Sequence, residues 1–180
     1  FYKNVGYPIS VARGAYWLGR TYNKLGYEEL SIKWFKEASN YLTTYYGQLA
    51  FMELNPNKNF ELSKDLEIKK EYRDSFLKKE IVKVIYLLDE LDEDKYAKHM
   101  LRFLANDDII NGSEILAAEL ATKIERFDFA IQISKLASYE KRFHNKYNYP
   151  IISTPKYING RKIPESAFIL SIIIQESEFD

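Results

Sequence analysis

Helix breakers are scarce in this chain, and that scarcity constrains its fold more than any other feature. It has 7 glycines and 5 prolines in 180 residues. Neither residue occurs between Pro56 and Gly112 or between Gly112 and Pro150. Across these stretches apolar residues recur at helical spacing instead of strand alternation, which predicts an all-α fold.

The spacing resolves into a series of helices. The first is expected to begin at Ser10 as N-cap and to carry Ala15, Leu18, Tyr22 and Leu25 on one stripe, with Gly26 as the left-handed residue that ends it. A second is expected over 28–41 through Ile32, Phe35 and Ala38, and a third over 43–54, stopping at Asn55-Pro56. One long helix is predicted over 72–91 through Phe76, Ile81, Ile85 and Leu88. Another covers 93–106 through Tyr96, Met100, Phe103 and Leu104. Asn111-Gly112 breaks the chain, Ser113 caps a helix reaching Glu125, and a last scaffold helix runs over 128–142. Helices of this length joined by short turns predict a solenoid, since one pair buries its faces only when the next stacks on it.

Composition narrows the function classes. Lys+Arg and Asp+Glu both number 26, so the basic excess that binds nucleic acid by releasing counterions is missing. A polybasic membrane anchor is equally unsupported. Lys69-Lys70 and Lys78-Lys79 alternate with acids and read as solvated faces. There is no cysteine, which excludes thiolate metal sites and nucleophiles. The longest apolar run, Ala167 to Ile174, is too short for a transmembrane helix, which needs about 20 residues. The chain opens on Phe1 instead of Met, so the natural N-terminus is expected upstream and the lack of a signal peptide carries no information. His99 and His144 have no metal-like spacing, no phosphate loop or nucleophile elbow is present, and no cofactor is expected. Most of the 15 Tyr and 11 Phe are expected in the core.

The texture changes after residue 144. Tyr149-Pro150, Pro155 and Asn159-Gly160 mark residues 145–163 as an irregular connector. Pro164 suits the first turn of a helix, and residues 167–174 read Ala-Phe-Ile-Leu-Ser-Ile-Ile-Ile. A helix apolar on nearly every side is expected to lie in a core. Residues 164–180 are therefore expected to open a second domain that the sequence leaves after one helix.

Leu18, Gly19, Tyr22, Ser31, Phe35 and Ala38 fall where tetratricopeptide repeats place their signature residues, with Ala15 at the opening Trp position. This predicts one tetratricopeptide-like hairpin, about residues 10–45, inside a 1–144 superhelical scaffold. Gly19 is expected at the close approach of its two helices.

Two further segments resemble the soluble lytic transglycosylase family. One is Ala12-Arg13-Gly14-Ala15-Tyr16-Trp17-Leu18-Gly19-Arg20, followed by Trp34-Phe35 and by Thr44-Tyr45-Tyr46-Gly47-Gln48-Leu49-Ala50. The other is Tyr149-Pro150, Pro164 and then Ser171-Ile172-Ile173-Ile174-Gln175-Glu176-Ser177-Glu178-Phe179-Asp180. The family's superhelical region and the first helix of its lysozyme-like catalytic domain carry very similar stretches. The resemblance implies that Glu176 is the catalytic acid/base and that Ser177 contacts substrate. It implies a periplasmic protein without cofactor or metal, acting on peptidoglycan glycan strands. The bond cleaved lies between N-acetylmuramic acid and N-acetylglucosamine, and the product carries a 1,6-anhydro ring. The family's Gly-Leu-Met-Gln stretch and later groove motif are absent, so the 180 residues alone are expected to be inactive.

Glu176 follows Ile169, Ile172 and Ile173 at helical spacing, a setting expected to desolvate its carboxyl and raise its pKa. Glu178, two residues on, points away from it. A rival expectation is a tetratricopeptide-like interaction module with no catalysis.

Overall fold

The fold is all-α. A computed structural model describes residues 2–61 and 66–177 and holds, among them, ten α-helices and one two-stranded hairpin. The chain divides into two compact units, residues 1–64 with 138–143, and residues 65–137 with 144–180.

The first unit is built on α1 (Pro8–Lys24), α2 (Glu28–Ser39) and α3 (Tyr45–Leu54). Helix α1 starts two residues before the expected Ser10, because Pro8 supplies a first-turn φ and has no N–H to leave unpaired. It ends as expected at Gly26, whose φ of 78° lets the Tyr27 amide reach the Tyr22 carbonyl at 2.9 Å. Helices α1 and α2 run antiparallel. Ser31 meets Gly19, the Phe35 ring lies 5.8 Å from that of Tyr16, and Tyr41 is buried with Val11 and Ala12. As the number rises along one helix it falls along the other. Helix α3 runs alongside α1, with Tyr46 against Tyr16 and Glu53 paired to Arg20.

The buried residues of α1 include Val11, Ala12, Gly14, Ala15, Tyr16 and Gly19, whereas Leu25 of the expected stripe is 62% exposed. Closely packed helices put their smallest side chains at the line of contact, and larger ones are displaced to its rim. The same rule rotates α6 (Asp94–Ala105) by one residue. Ala97, Leu101, Leu104 and Ala105 are buried, and Tyr96 and Phe103 are exposed.

The second unit is centred on α7 (Ser113–Lys123), buried along most of its length. Helices α4 (Lys70–Leu77) and α6 pack on it, α5 (Glu80–Glu90) packs on α6, and the body of α8 (Phe127–Tyr139) adds Phe129 and Ile133 to the same core. The core joins Phe76, Ile85, Leu101, Leu104, Leu116, Leu120, Phe129 and Ile133. The single helix expected over 72–91 is in fact α4 and α5. Lys79 takes an extended conformation between them, and its amide bonds Phe76 O at 3.1 Å. A five-residue step from Phe76 to Ile81 in the apolar stripe marks the break, because one helix would carry Ile81 off the face of Phe76.

Ser113 is not an N-cap. It is the first residue of α7, and its hydroxyl donates to Ala105 O at 2.6 Å and accepts from the Asp108 amide at 3.1 Å, tying α6 to α7. Beyond α8, the 145–163 stretch contains the short helix α9 (Asn145–Asn148) and an antiparallel hairpin, β1 (Tyr157–Ile158) with β2 (Arg161–Lys162). Asn159 and Gly160 both have positive φ, 49° and 79°, as a two-residue hairpin turn requires. The last helix, α10 (Ser166–Glu176), has no buried residue. This corrects the expectation of a core helix: Phe168 is 58% and Ile172 47% exposed.

Candidate functional site

The first family-like segment is largely consumed by packing. Ala12, Ala15 and Gly19 form the contact face of α1, and a Cβ added to Gly19 would stand 2.7 Å from the Phe35 ring. The Ser31 hydroxyl donates to Gly19 O at 2.9 Å in the same contact. Arg20 donates to the Tyr16 hydroxyl at 3.0 Å and pairs with Glu53 at 3.2 Å, and the Tyr16 bond leads in raising the Arg20 pKa. The Thr44–Ala50 stretch closes the turn between α2 and α3. Thr44 Oγ1 accepts from the Gly47 amide at 3.1 Å and donates to Tyr41 O at 2.8 Å, an N-cap in the usual sense. The Gln48 amide donates to Leu42 O at 2.9 Å, and Gly47 lies so near the Tyr41 carbonyl that no Cβ fits there.

Two further residues of that segment face solvent. Arg13 and Trp17 are exposed and stand one helical turn apart, so they neighbour one another on α1. They line a groove of about 780 Å³ with Gly14, Thr21, Tyr2 and Asn4. Its wall is held by Tyr2, whose ring meets Trp34 edge-on at 4.9 Å and whose hydroxyl donates to Glu37 at 3.1 Å. Burial, and then the Glu37 carboxylate, push the Tyr2 pKa up to about 12. Trp17 is 55% exposed.

The second segment ends on α10. Glu176 is the last residue of that helix and is exposed, with Ile169 and Ile173 half-buried beneath it. The desolvated setting expected for this carboxyl is therefore not present at Glu176 in this structure. Ser177 is the C-cap: its amide bonds Ile173 O at 2.9 Å and its hydroxyl donates to the same oxygen at 3.3 Å. Glu178, Phe179 and Asp180 lie outside the described residues.

The second unit also holds polar groups that helical spacing did not flag. His144 Nε2 lies 3.1 Å from Glu114 Oε2, with both residues buried, and His144 Nδ1 has no hydrogen-bond partner among the described residues. His99 is exposed. Arg126 forks onto Asp128 with two 3.0 Å bonds, pairs with Asp94, and lies 3.8 Å over the Phe129 ring. Glu119 accepts from Arg73 at 2.6 Å and pairs with Lys123 at 3.2 Å. Burial would raise the Glu119 pKa, but the bonds from Arg73 and Lys123 outweigh it and hold the carboxyl below its usual range. The only sequence signal for such pairs is an acid inside an apolar helix, as at Glu114 between Ser113 and Ile115. Among the described residues no group of three or more His, Asp or Glu could hold a metal ion, and no helix is long and apolar enough to cross a membrane.

Comparison of the chain with protein-family models, with characterised proteins and with solved structures gives no significant match.

Proposed function

We propose that this chain is part of a periplasmic lytic transglycosylase that cleaves peptidoglycan glycan strands, with Glu176 as its single acid/base. In this reading the helices up to α8 are a tetratricopeptide-like superhelical scaffold, and α10 opens a lysozyme-like catalytic domain. The observation that carries the reading is the placement of Glu176-Ser177 at the end of an apolar helix. It follows Tyr149-Pro150 and Pro164 in the family's order, with the Ala12–Arg20 and Thr44–Ala50 stretches upstream. The α1–α2 contact at Gly19, Ser31 and Phe35 supports the tetratricopeptide-like part, since those are the positions at which such hairpins pack.

One carboxyl suffices for this chemistry. Protonated, it delivers its proton to the glycosidic oxygen as the bond to the muramic acid anomeric carbon breaks. Ionised by that step, it takes the proton from the C6 hydroxyl of the same sugar, and the hydroxyl oxygen closes on the anomeric carbon. The nucleophile is already attached, so neither a water molecule nor a second carboxylate is needed. Ser177, next in the chain, stands beside the acid as a substrate contact. No cofactor enters the scheme.

Two tests apply. Reading the gene past the codon for Asp180 should reveal a Gly-Leu-Met-Gln stretch, and a stop codon or unrelated sequence there would remove the proposal. In the full gene product, Glu176→Gln keeps the side chain's shape and removes its titratable proton. It should abolish 1,6-anhydro muropeptides, detected by mass spectrometry after incubation with peptidoglycan sacculi, without changing the melting temperature. Parental turnover by that variant would assign the acid elsewhere. The second reading, an interaction module without catalysis, rests on the exposed groove over α1. It predicts partner binding and no anhydro product from any form of the protein.

A further inference from the structure

We infer that the groove over α1 is a saccharide-binding platform, in which Trp17 stacks on a sugar ring at a position remote in sequence from Glu176. The choice of a glycan as occupant rests on the transglycosylase reading. The groove itself rests on independent geometry.

In the Ala12–Arg20 stretch, Ala12, Ala15, Tyr16 and Gly19 are buried, and Arg20 is engaged by Tyr16 and Glu53. Trp17 is the largest side chain of the stretch, yet it is 55% exposed. An indole turned toward solvent forgoes much of the free energy that a large apolar side chain gains on burial. It is nonetheless held in place. Its ring stands at 75° to Tyr16 with centroids 5.6 Å apart, its ring centre is 6.4 Å from that of Tyr46, and Thr21 donates to its carbonyl at 2.8 Å. A flat, exposed and positioned aromatic face is what the apolar C–H face of a pyranose can stack on.

The surroundings fit the same ligand class. Gly14 lines the groove beside Trp17 and contributes no side chain of its own. Polar groups of Asn4, Arg13 and Thr21 stand around the indole, as a ring edged with hydroxyl and acetamido groups requires. At about 780 Å³ the groove falls within the roughly 300–1,000 Å³ usual for small-molecule sites. It is open, as it must be for a strand that continues past both ends. Arg13 adds one positive group that would favour strands bearing the muramic acid lactyl-peptide carboxylates over a neutral glycan.

Within these 180 residues the tryptophans are Trp17 and Trp34, so replacing Trp34, and any tryptophan that the gene encodes outside them, by Phe leaves Trp17 as the sole indole reporter. The full gene product carrying these replacements and the inactivating Glu176→Gln is titrated with chitotetraose, then with soluble uncrosslinked peptidoglycan strands. Expected are a saturable change in indole fluorescence with both ligands and tighter binding of the peptidoglycan strands. Isothermal calorimetry should show at least a tenfold loss of affinity for Trp17→Ala and near-parental affinity for Trp17→Phe, which keeps a stacking face. Unchanged affinity in Trp17→Ala, or saturation by acidic peptides but not by glycans, would overturn the platform. Failure here would leave the Glu176 reading intact if anhydro product still depends on Glu176. Loss of that dependence alone would leave the platform standing as a glycan-binding site.

Discussion

Gly19→Ala adds one methyl group, and the structure sets its cost. The new Cβ would lie 2.7 Å from Phe35 Cδ1, 2.8 Å from Cε1 and 3.1 Å from Cγ, so the whole ring, and not merely its far edge, must retreat. The ring has little room, being 5% exposed and packed against Tyr16. Moving α2 instead would stretch the 2.9 Å bond from Ser31 to Gly19 O. Overpacking of this kind costs about 1–3 kcal/mol. Against it stands the helix preference for alanine over glycine, about 1 kcal/mol. The net expectation is a loss of about 0–2 kcal/mol for alanine and a larger one for leucine, read from urea midpoints at constant slope. A double-mutant cycle isolates the contact. Phe35→Leu shortens the ring, so it should cost clearly less in the Gly19→Ala background than in the parent, a coupling of about 1 kcal/mol. Gly6→Ala, whose Cβ would meet nothing within 4 Å, is the control and should not destabilise. A full 1 kcal/mol gain for Gly19→Ala, with strictly additive Phe35→Leu, would refute the close approach of α1 and α2.

Three further outcomes are expected. Glu125 holds a φ of 58° at the end of α7, where the Arg126 amide reaches Ala121 O at 2.9 Å; glycine adopts that conformation without strain, and Glu125→Gly should raise stability by about 0.5–1 kcal/mol in thermal melts. Glu119 has a folded pKa below its ordinary 4.5, so its contribution to stability is complete above that value and is lost as pH falls through the folded pKa. Stability measured against pH should fall less steeply below 4.5 in Glu119→Gln, and an identical acid limb would refute the assignment. Helix α10 is shorter than the roughly 12–15 residues an isolated helix needs and has no buried residue. Its amides should exchange with deuterium far faster than those of α7, and equal protection would mean that α10 is held by packing absent from this structure.

The helices were legible because breakers are rare and each end carries its own chemistry: Gly26, Asn55-Pro56 and Asn111-Gly112 all lie at or beside helix ends. The phase of the buried face was less legible. Ranking positions by size points to Leu18 and Leu25 on α1 and to Tyr96 and Phe103 on α6. The contact lines instead run through Ala12, Ala15 and Gly19, and through Ala97 and Leu101. Size says how much a residue gains from burial; the line of contact is decided by how near two backbones come. The break at Lys78-Lys79 was hidden because Lys is a good helix former, and only the uneven step from Phe76 to Ile81 betrays it. Glu114 and His144 lie thirty positions apart, and no local pattern joins them. At the candidate acid the residue type and its neighbours were readable. Its burial was not, because burial belongs to whatever packs on α10.

That dependence carries a physical consequence for Glu176. Phe168 and Ile172 are about half exposed, and Ile169, Leu170, Ile173 and Ile174 remain partly so. Covering the remaining apolar surface of Phe168 and Ile172 alone would release roughly 1.5–3 kcal/mol, taking about half of the 1.5–3 kcal/mol that each side chain gains on full burial. One pKa unit corresponds to 1.36 kcal/mol. The free energy available from covering the helix is thus enough to offset a rise of about one to two in the pKa of a carboxyl buried by the same event. A carboxyl at the end of an apolar helix can therefore be moved toward neutrality by the packing that covers the helix, without a neighbouring anion to repel its charge. Glu176 lies three and four residues beyond Ile173 and Ile172, so a surface that packs over both isoleucines also meets its side chain. A cover that buries α10 and leaves Glu176 solvated would stabilise the fold and supply no acid.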